Sequence, residues 1–204
     1  MSEESPELDK DIQKIENHTG ILVNIINSVK DMYVVESRGK DLELSKTSLL
    51  QSVDYAQKYL EEKLSNKRIK LEYESENLTP YYILAEKNIF KHQVLVNILN
   101  NCINFSYENS GIEIWAELNP LNSNKVDLHI KDHGIGMSQK ILENLFNPKV
   151  MTTRSGTRNE LGTGLGMLIV KTMLNSMNGK ILVKSSEVSP SGTEFILTLP
   201  KSKK

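Results

Sequence analysis

The chain switches between two hydrophobic periods. In its first segment, apolar residues recur three and four apart at Ile12, Ile15, Leu22, Ile26, Val29 and Tyr33, with Thr19 filling one place in the row. That spacing is a heptad seam, and a seam needs a partner helix. Val23 and Ile25 widen it toward a bundle-type face, and a short polar linker at 37–40, containing Gly39, ends it. Beyond the linker the pattern predicts an amphipathic helix over about 49–64, strands at 69–73 and 82–85, and then a second helix. In that helix Ile89, Val94, Leu95, Ile98, Leu99, Cys102 and Phe105 recur at helical steps. Alternation with period two returns at 112–118 and 126–131, around a polar turn at 119–125 that contains Pro120 and reads as a hairpin. A last helix carries Leu168, Ile169, Val170, Met173 and Leu174, and strands follow at 180–185 and 194–199, divided by Ser189-Pro190-Ser191-Gly192. Helices laid on one face of a mixed, largely antiparallel sheet make an α+β fold, a two-layer α/β sandwich, with an N-terminal amphipathic bundle helix. The expected organisation is a helical segment at 1–40 and a globular domain at 41–204.

Composition narrows the partners. With 25 basic and 26 acidic residues in 204, the chain has no field for nucleic acid. The start MSEESPELDKD lacks the apolar core of a signal peptide, and no run approaches membrane-spanning length, so a cytoplasmic location is expected. Cys102 is the single cysteine, which excludes an internal disulfide; set among apolar helix positions, it reads as a packed thiol.

Three clusters carry candidate chemistry. The stretch NILNNCINFS places Asn97 and Asn101 one turn apart on one helical face. Amide oxygens are hard, neutral ligands of the kind Mg²⁺ accepts while it keeps waters and bridges to phosphates. The stretch DHGIG follows the buried alternation of Val126, Leu128 and Ile130, so a strand delivers Asp132 into a glycine-relaxed turn. A carboxylate there can accept from an exocyclic amine such as that of adenine, and Gly134 and Gly136 let backbone approach a flat ring. The stretch GTGLG opens the last helix, where unpaired backbone N–H groups and the positive end of the dipole suit phosphate oxygens. Neither the P-loop nor the Rossmann fingerprint fits, because there is no Gly-Lys-Ser/Thr and no first-strand context.

In this order the motifs resemble the catalytic ATP-binding domain of bacterial sensor histidine kinases, a superfamily shared with gyrase, mismatch-repair ATPases and heat-shock chaperones. NILNNCINFS is similar to the N box, DHGIG to the G1 box, Phe146 to the F box, GTGLG to the G2 box, and Gly192-Thr193 to the last glycine motif. The resemblance runs from about residue 42 to 200 and implies the Bergerat ATP-binding fold, with ATP and Mg²⁺ as ligands. It implies that Asn101 ligates Mg²⁺ while Asn97 supports the metal or its waters. Asp132 would fix adenine, with Gly134 and Gly136 shaping the base pocket, Thr193 closing its floor, and Phe105 and Phe146 among the nucleotide-binding residues. Gly162, Thr163, Gly164, Leu165 and Gly166 would lie against the phosphates. The stretch FNPKVMTTRSGTRNEL is long enough for a functional lid, and in its Thr152-Thr153-Arg154 run Arg154 is the expected phosphate-facing cation. Two departures stand out. Asn104 occupies a place where many members carry a basic residue, which implies weaker nucleotide binding. His133 replaces the usual Asn and reads as a polar turn residue or, more sharply, as a pH-sensitive contact in the pocket.

The residue at position 97 also bears on reaction type. Hydrolysing branches of the superfamily place a glutamate there as general base, whereas an amide accepts no proton at neutral pH. Transfer of the γ-phosphoryl to a protein histidine therefore fits better than hydrolysis. The N-terminal seam resembles the second helix of the dimerisation and phosphotransfer hairpin, which implies a homodimer. The acceptor histidine belongs to the first helix of such a hairpin and is expected outside this sequence, in a further segment or in trans. His18 is followed by Thr19-Gly20 and reads as a solvated helix position, and His92 and His129 read as structural. The expected function is that of a protein-histidine kinase catalytic domain that does not phosphorylate itself and feeds a response regulator or receiver domain. The alternatives are a non-catalytic nucleotide-regulated interaction module and an ATP-hydrolysing switch. The intact glycine boxes weigh against the first of these and Asn97 against the second.

Overall fold

The computed structural model describes residues 42–150, 154–158 and 164–202, together with positions 11, 12, 15, 19, 22, 23, 26 and 33 of the first segment. Those eight positions are helical. Ile15, Leu22, Ile26 and Tyr33 are all more than half exposed, so the described part of the seam has no cover among the described residues. Val29, Ile25 and His18 lie outside the described residues.

The domain begins with β1 (Ser45–Ser48) and α1 (Leu49–Tyr59), and Ser48 caps that helix by accepting from the Gln51 amide at 3.3 Å. The single helix expected over 49–64 is two. Leu60 leaves helical geometry, and α2 (Glu61–Lys67) then runs to Arg68, whose φ of 53° ends it. Leu49, Val53, Ala56, Leu60 and Leu64 are buried along one stripe, so the break reorients the helix without exposing its apolar face. Next come β2 (Lys70–Glu72), α3 (Ser75–Leu78), β3 (Tyr82–Ala85) and a π-helical turn, Ile89–Leu95, which leads into α4 (Val96–Phe105). The strands β4 (Gly111–Leu118) and β5 (Lys125–Asp132) form the expected hairpin. After it stand α5 (Gln139–Asn144), α6 (Gly166–Ser176), β6 (Lys180–Ser186) and β7 (Gly192–Pro200).

Five strands make the main sheet in the order β2-β4-β5-β7-β6; only β2 and β4 run parallel. A small antiparallel pair, β1 with β3, stands apart from it. Ile112, Ile114, Leu128, Ile130, Leu197 and Leu199 project from one face of the sheet into a core shared with Ile98, Leu99, Ile169, Val170 and Leu174 of α4 and α6. The structure is thus the predicted α+β sandwich. Strand β5 is central and nearly all its residues are buried, including His129, which lies under the ring of Trp115 at 4.6 Å and bonds Glu194 at 2.9 Å. No helix among the described residues is long and apolar enough to cross a membrane.

Candidate nucleotide site

Two neighbouring strands and one helix fix the carboxylate. In the antiparallel register Asp132, at the end of β5, faces Thr193 near the start of β7. Its Oδ1 accepts the Gly134 amide at 3.0 Å and the Thr193 amide at 3.1 Å. The buried Cys102 thiol of α4 also holds the pKa of this carboxylate down. Asp132 is 3 % exposed, and loss of water raises its pKa to about 6 despite these donors. The same burial, together with the Asp132 charge, pushes the Cys102 thiol well up, so it is the packed thiol expected and not a nucleophile.

Glycine brings the rest of the turn onto its neighbours. A Cβ at Gly134 would stand 2.2 Å from the Phe105 carbonyl oxygen, and the next amide, Ile135, donates to that oxygen at 3.0 Å. Gly136 has a φ of 62°, and a Cβ there would lie 1.8 Å from the Ser186 carbonyl oxygen. Ser185 closes this side: its hydroxyl bonds Thr193 Oγ1 at 2.8 Å and the Gly192 carbonyl at 2.9 Å, and it accepts the Met137 amide at 2.8 Å. Sequence motifs do not mark Ser185. Only the register that sets it opposite Thr193 reveals it.

The other edge of α4 meets α6. The Asn97 side chain donates to the Gln93 carbonyl at 2.6 Å, and its Oδ1 is the nearest atom, at 3.6 Å, to where a Gly166 Cβ would stand. Asn101 Nδ2 reaches Met167 Sδ at 2.9 Å, which leaves Asn101 Oδ1 without a protein partner among the described residues. Gln93 Oε1, one turn before Asn97, is buried and likewise unpartnered among the described residues. Unpaired amide oxygens beside a helix start suit a hard cation that keeps waters and phosphate oxygens as its other ligands, so the donor set fits Mg²⁺. Among the described residues no group of three or more His, Cys, Asp or Glu side chains could hold a metal. Gly164 has a φ of 71° just before α6, and Leu165 follows it. Gly162, Thr163, Thr152 and Thr153 lie outside the described residues.

Several expected residues stand elsewhere than the motifs alone imply. Arg154, expected to face phosphate, lies on the base side: its guanidinium sits 4.5 Å over the Phe105 ring, donates to the Gly136 carbonyl and stands 4.0 Å from Glu187. Phe146 packs against the core with Lys171 of α6 over its ring at 5.0 Å. His133 turns to the exposed Glu113, 2.5 Å from Oε1, as an ordinary polar turn residue would. Asn104 brings no cation, yet one reaches its end of α4 from α2. Lys67 is 3 % exposed and donates to the Ile103 carbonyl at 2.9 Å, the Asn104 carbonyl at 2.8 Å and Thr157 Oγ1 at 2.6 Å. A cation at the carboxyl end of a helix meets both unpaired carbonyls and the negative end of the dipole. Spacing gives no hint of it, because Lys67 reads as one more polar residue before a strand.

Comparison with known proteins agrees with this geometry. Residues 86–203 match the family model of the histidine kinase-, DNA gyrase B- and HSP90-like ATPases. The chain is 27 % identical over 182 residues, 88 % of its length, to the autoinducer 2 sensor kinase/phosphatase LuxQ of Vibrio harveyi. It is 33 % identical over 108 residues, 53 % of its length, to the sensor protein kinase WalK of Staphylococcus aureus. It spans 21 % of the first relative and 25 % of the second. Among solved structures, the Acinetobacter baumannii histidine kinase AdeS superposes with a TM-score of 0.69 at 20 % identity, covering 99 % of this chain and 88 % of that one. Histidine kinase ThkA in complex with response regulator protein TrrA gives 0.68 at 25 % identity, covering 99 % of this chain and 53 % of that one. The chain therefore belongs to the histidine kinase-, DNA gyrase B- and HSP90-like ATPase family, and its homologues are sensor histidine kinases.

Proposed function

We propose that this chain is the ATP-binding catalytic part of a sensor histidine kinase, which presents the γ-phosphoryl of ATP to a histidine on a helical hairpin in another segment or partner. The observation that carries the reading is the placement of α4 between the two glycine turns. One end of the helix meets Gly134 and Ile135, and its half-buried edge of Asn97 and Asn101 meets Gly166 and Met167. A nucleotide laid along that helix has its base beside Asp132 and its phosphates at the start of α6. Asp132 accepts the exocyclic amine, Thr193 and Ser185 hold the carboxylate side of the pocket in place, and the first amides of α6 take phosphate oxygens. Asn101, with Asn97 behind it, would hold Mg²⁺, which supplies charge neutralisation to the phosphates when bound.

The amide at position 97 orients without accepting a proton, so water attack has no general base at that place. Phosphoryl transfer needs mainly positioning and charge neutralisation, and a protein histidine brought in line serves as nucleophile. The exposed seam of Ile12, Ile15, Leu22, Ile26 and Tyr33 supports pairing with a second copy or a hairpin helix. A response regulator or receiver domain would take the phosphoryl group onward.

The test is titration of the chain with a non-hydrolysable ATP analogue with and without Mg²⁺, followed by transfer from labelled ATP to a histidine-bearing hairpin added in trans. Expected are Mg²⁺-dependent binding, weakened by Asn101→Ala and lost in Asp132→Ala, and acid-labile label on the hairpin alone. No binding at millimolar nucleotide would refute the reading. Acid-labile label on the chain itself, lost in His18→Ala, would make His18 the acceptor.

A further inference from the structure

A side chain of the protein itself lies over the end of α4, beside the turn that follows Asp132. Arg154 projects a planar, charged group with several N–H donors onto the aromatic face of Phe105 at the end of α4. Its Nη2 donates to the Gly136 carbonyl, and Nη1 lies 4.0 Å from Glu187 just past β6. Four-fifths of the side chain is withdrawn from water, and the negative charge of Asp132 reaches it across the pocket. What an adenine ring would use here is a flat face to stack on, a carbonyl rim to sit against and a carboxylate to meet its amine. The guanidinium already engages the ring and the rim and feels the carboxylate, because stacking on an aromatic and donating in plane are what that group does best. Three residues further on, Thr157 is tied to α4, its amide donating to the Asn104 carbonyl at 2.9 Å and its hydroxyl to the Ser106 carbonyl at 2.8 Å. Lys67 holds the same hydroxyl at 2.6 Å. The backbone beside Arg154 is therefore anchored on the helix that carries Phe105.

We propose that Arg154 sets nucleotide affinity from the base side, by filling the place of the adenine ring in the nucleotide-free protein so that an incoming base must displace it. The inference rests on the nucleotide reading above and reverses the expected role of the residue, from a cation that attracts phosphate to an internal competitor of the base. A protein that spends most of its time with Arg154 in the pocket binds nucleotide more weakly by the fraction of molecules in which the pocket is free.

The experiment compares wild type, Arg154→Ala, Arg154→Lys and Glu187→Gln in titrations with a non-hydrolysable ATP analogue and with adenosine. Hydrogen exchange over residues 154–158 is measured on the nucleotide-free proteins. Removal of the guanidinium should tighten binding of both ligands about tenfold, with faster association and faster exchange at 154–158. Arg154→Lys should also tighten binding, since an ammonium neither stacks flat nor forks onto the carbonyl. Glu187→Gln, which loosens one flank of the guanidinium, should act in the same direction and more weakly. Binding that weakens in Arg154→Ala and is restored in Arg154→Lys would overturn the proposal and return Arg154 to the phosphates. Equal binding by all four proteins would also overturn it. Failure of wild type and Arg154→Ala alike to bind any nucleotide would refute the nucleotide reading and this inference together, an outcome distinct from weakened binding by the variant alone.

Discussion

The two glycine turns of the site share a sequence signature but not a physical reason. At the base-side turn the missing Cβ atoms make room for the protein itself: Gly134 lies against the end of α4 and Gly136 against the end of β6, at distances no side chain tolerates. Those positions need glycine whether or not a ligand is present. At the phosphate-side turn the nearest atom to a Gly166 Cβ is the Asn97 amide oxygen at 3.6 Å, an ordinary contact. Among the described residues nothing crowds that position, so there a side chain would meet open space. The first turn is thus locked by its own packing against α4 and β6, and the second is an open helix start. A glycine motif read from sequence does not tell the two apart.

The largest effect that tests this contrast is on stability. Gly136→Ala forces a side chain into a left-handed backbone position and onto the Ser186 carbonyl, so backbone must shift. The cost should be about 3–4 kcal/mol, the range of a severe steric substitution. Urea unfolding measures it. A loss below about 1 kcal/mol would mean that the base side yields as easily as the other.

Next is the buried carboxylate, where function and stability oppose each other. The Asp132 pKa is raised from the ordinary 3.8 to about 6, so the folded chain holds this proton more tightly than the unfolded one. The stability tied to that proton is full below pH 4 and is lost as pH rises through about 6. Asp132→Asn keeps the Oδ1 acceptor for Gly134 and Thr193 and removes the charge. It should stabilise the nucleotide-free protein by about 2–3 kcal/mol at pH 7.5 and by almost nothing at pH 4. Nucleotide binding should fail in the variant, and in wild type it should weaken as pH falls below about 6 and the carboxylate loses its charge. Thermal melts at both pH values with matched titrations decide it. A variant less stable at pH 7.5 would show that the carboxylate is a structural anchor first.

The contrast also shows how far the sequence reached. Strands β4, β5, β6 and β7 were legible because period-two alternation and the polar turn at 119–125 impose them on any sheet with one buried face. The asparagines of α4 were legible because helical spacing alone puts Asn97 and Asn101 on one edge. The short β1, α3 and α5 were not, since four to six residues carry no sustained period. The break at Leu60 was hidden because its apolar stripe continues across it. In the site, Ser185 and Lys67 escaped notice for a different reason. Each acts through a partner on another element, Ser185 on Thr193 of β7 and Lys67 on Ile103 of α4, and only register or helix packing brings the pairs together. Arg154 was expected at the phosphates because its Thr-Thr-Arg run resembles a family motif, and its place over the Phe105 ring depends on packing that no motif records.

Lys67 holds the end of α4 that meets the base-side turn, and it tests how firmly that side is anchored. Lys67→Met keeps the buried stem and removes an ammonium that holds two carbonyls at the end of α4 and the Thr157 hydroxyl. Leaving those acceptors short of a donor should cost about 1–3 kcal/mol. Exchange of the Thr157 amide should quicken, since its anchor on Asn104 loses support. Unchanged stability would mean that water replaces the ammonium and that this end of the helix is wetter than its 3 % exposure suggests.

The smallest stability effect should come from Gly166→Ala, and its sign is the informative part. Gly166 is the first residue of α6, and its φ is not among the positive values, so alanine fits the backbone. Alanine also loses less entropy on folding than glycine, and the Asn97 oxygen at 3.6 Å does not obstruct it. The nucleotide-free protein should therefore gain about 0.5 kcal/mol. If phosphate oxygens approach this helix start, the added methyl group stands in their path, and affinity for the ATP analogue should fall about tenfold, a cost near 1.4 kcal/mol. Adenosine has no phosphate to obstruct and meets only the base side, so its affinity should hold. The ratio of the two affinities is the readout, and it does not depend on how stable the variant is. Equal losses for ATP analogue and adenosine would show that the methyl group disturbs the whole cleft. Equal retention would show that the phosphates lie elsewhere, and that the open space beside Gly166 serves no ligand.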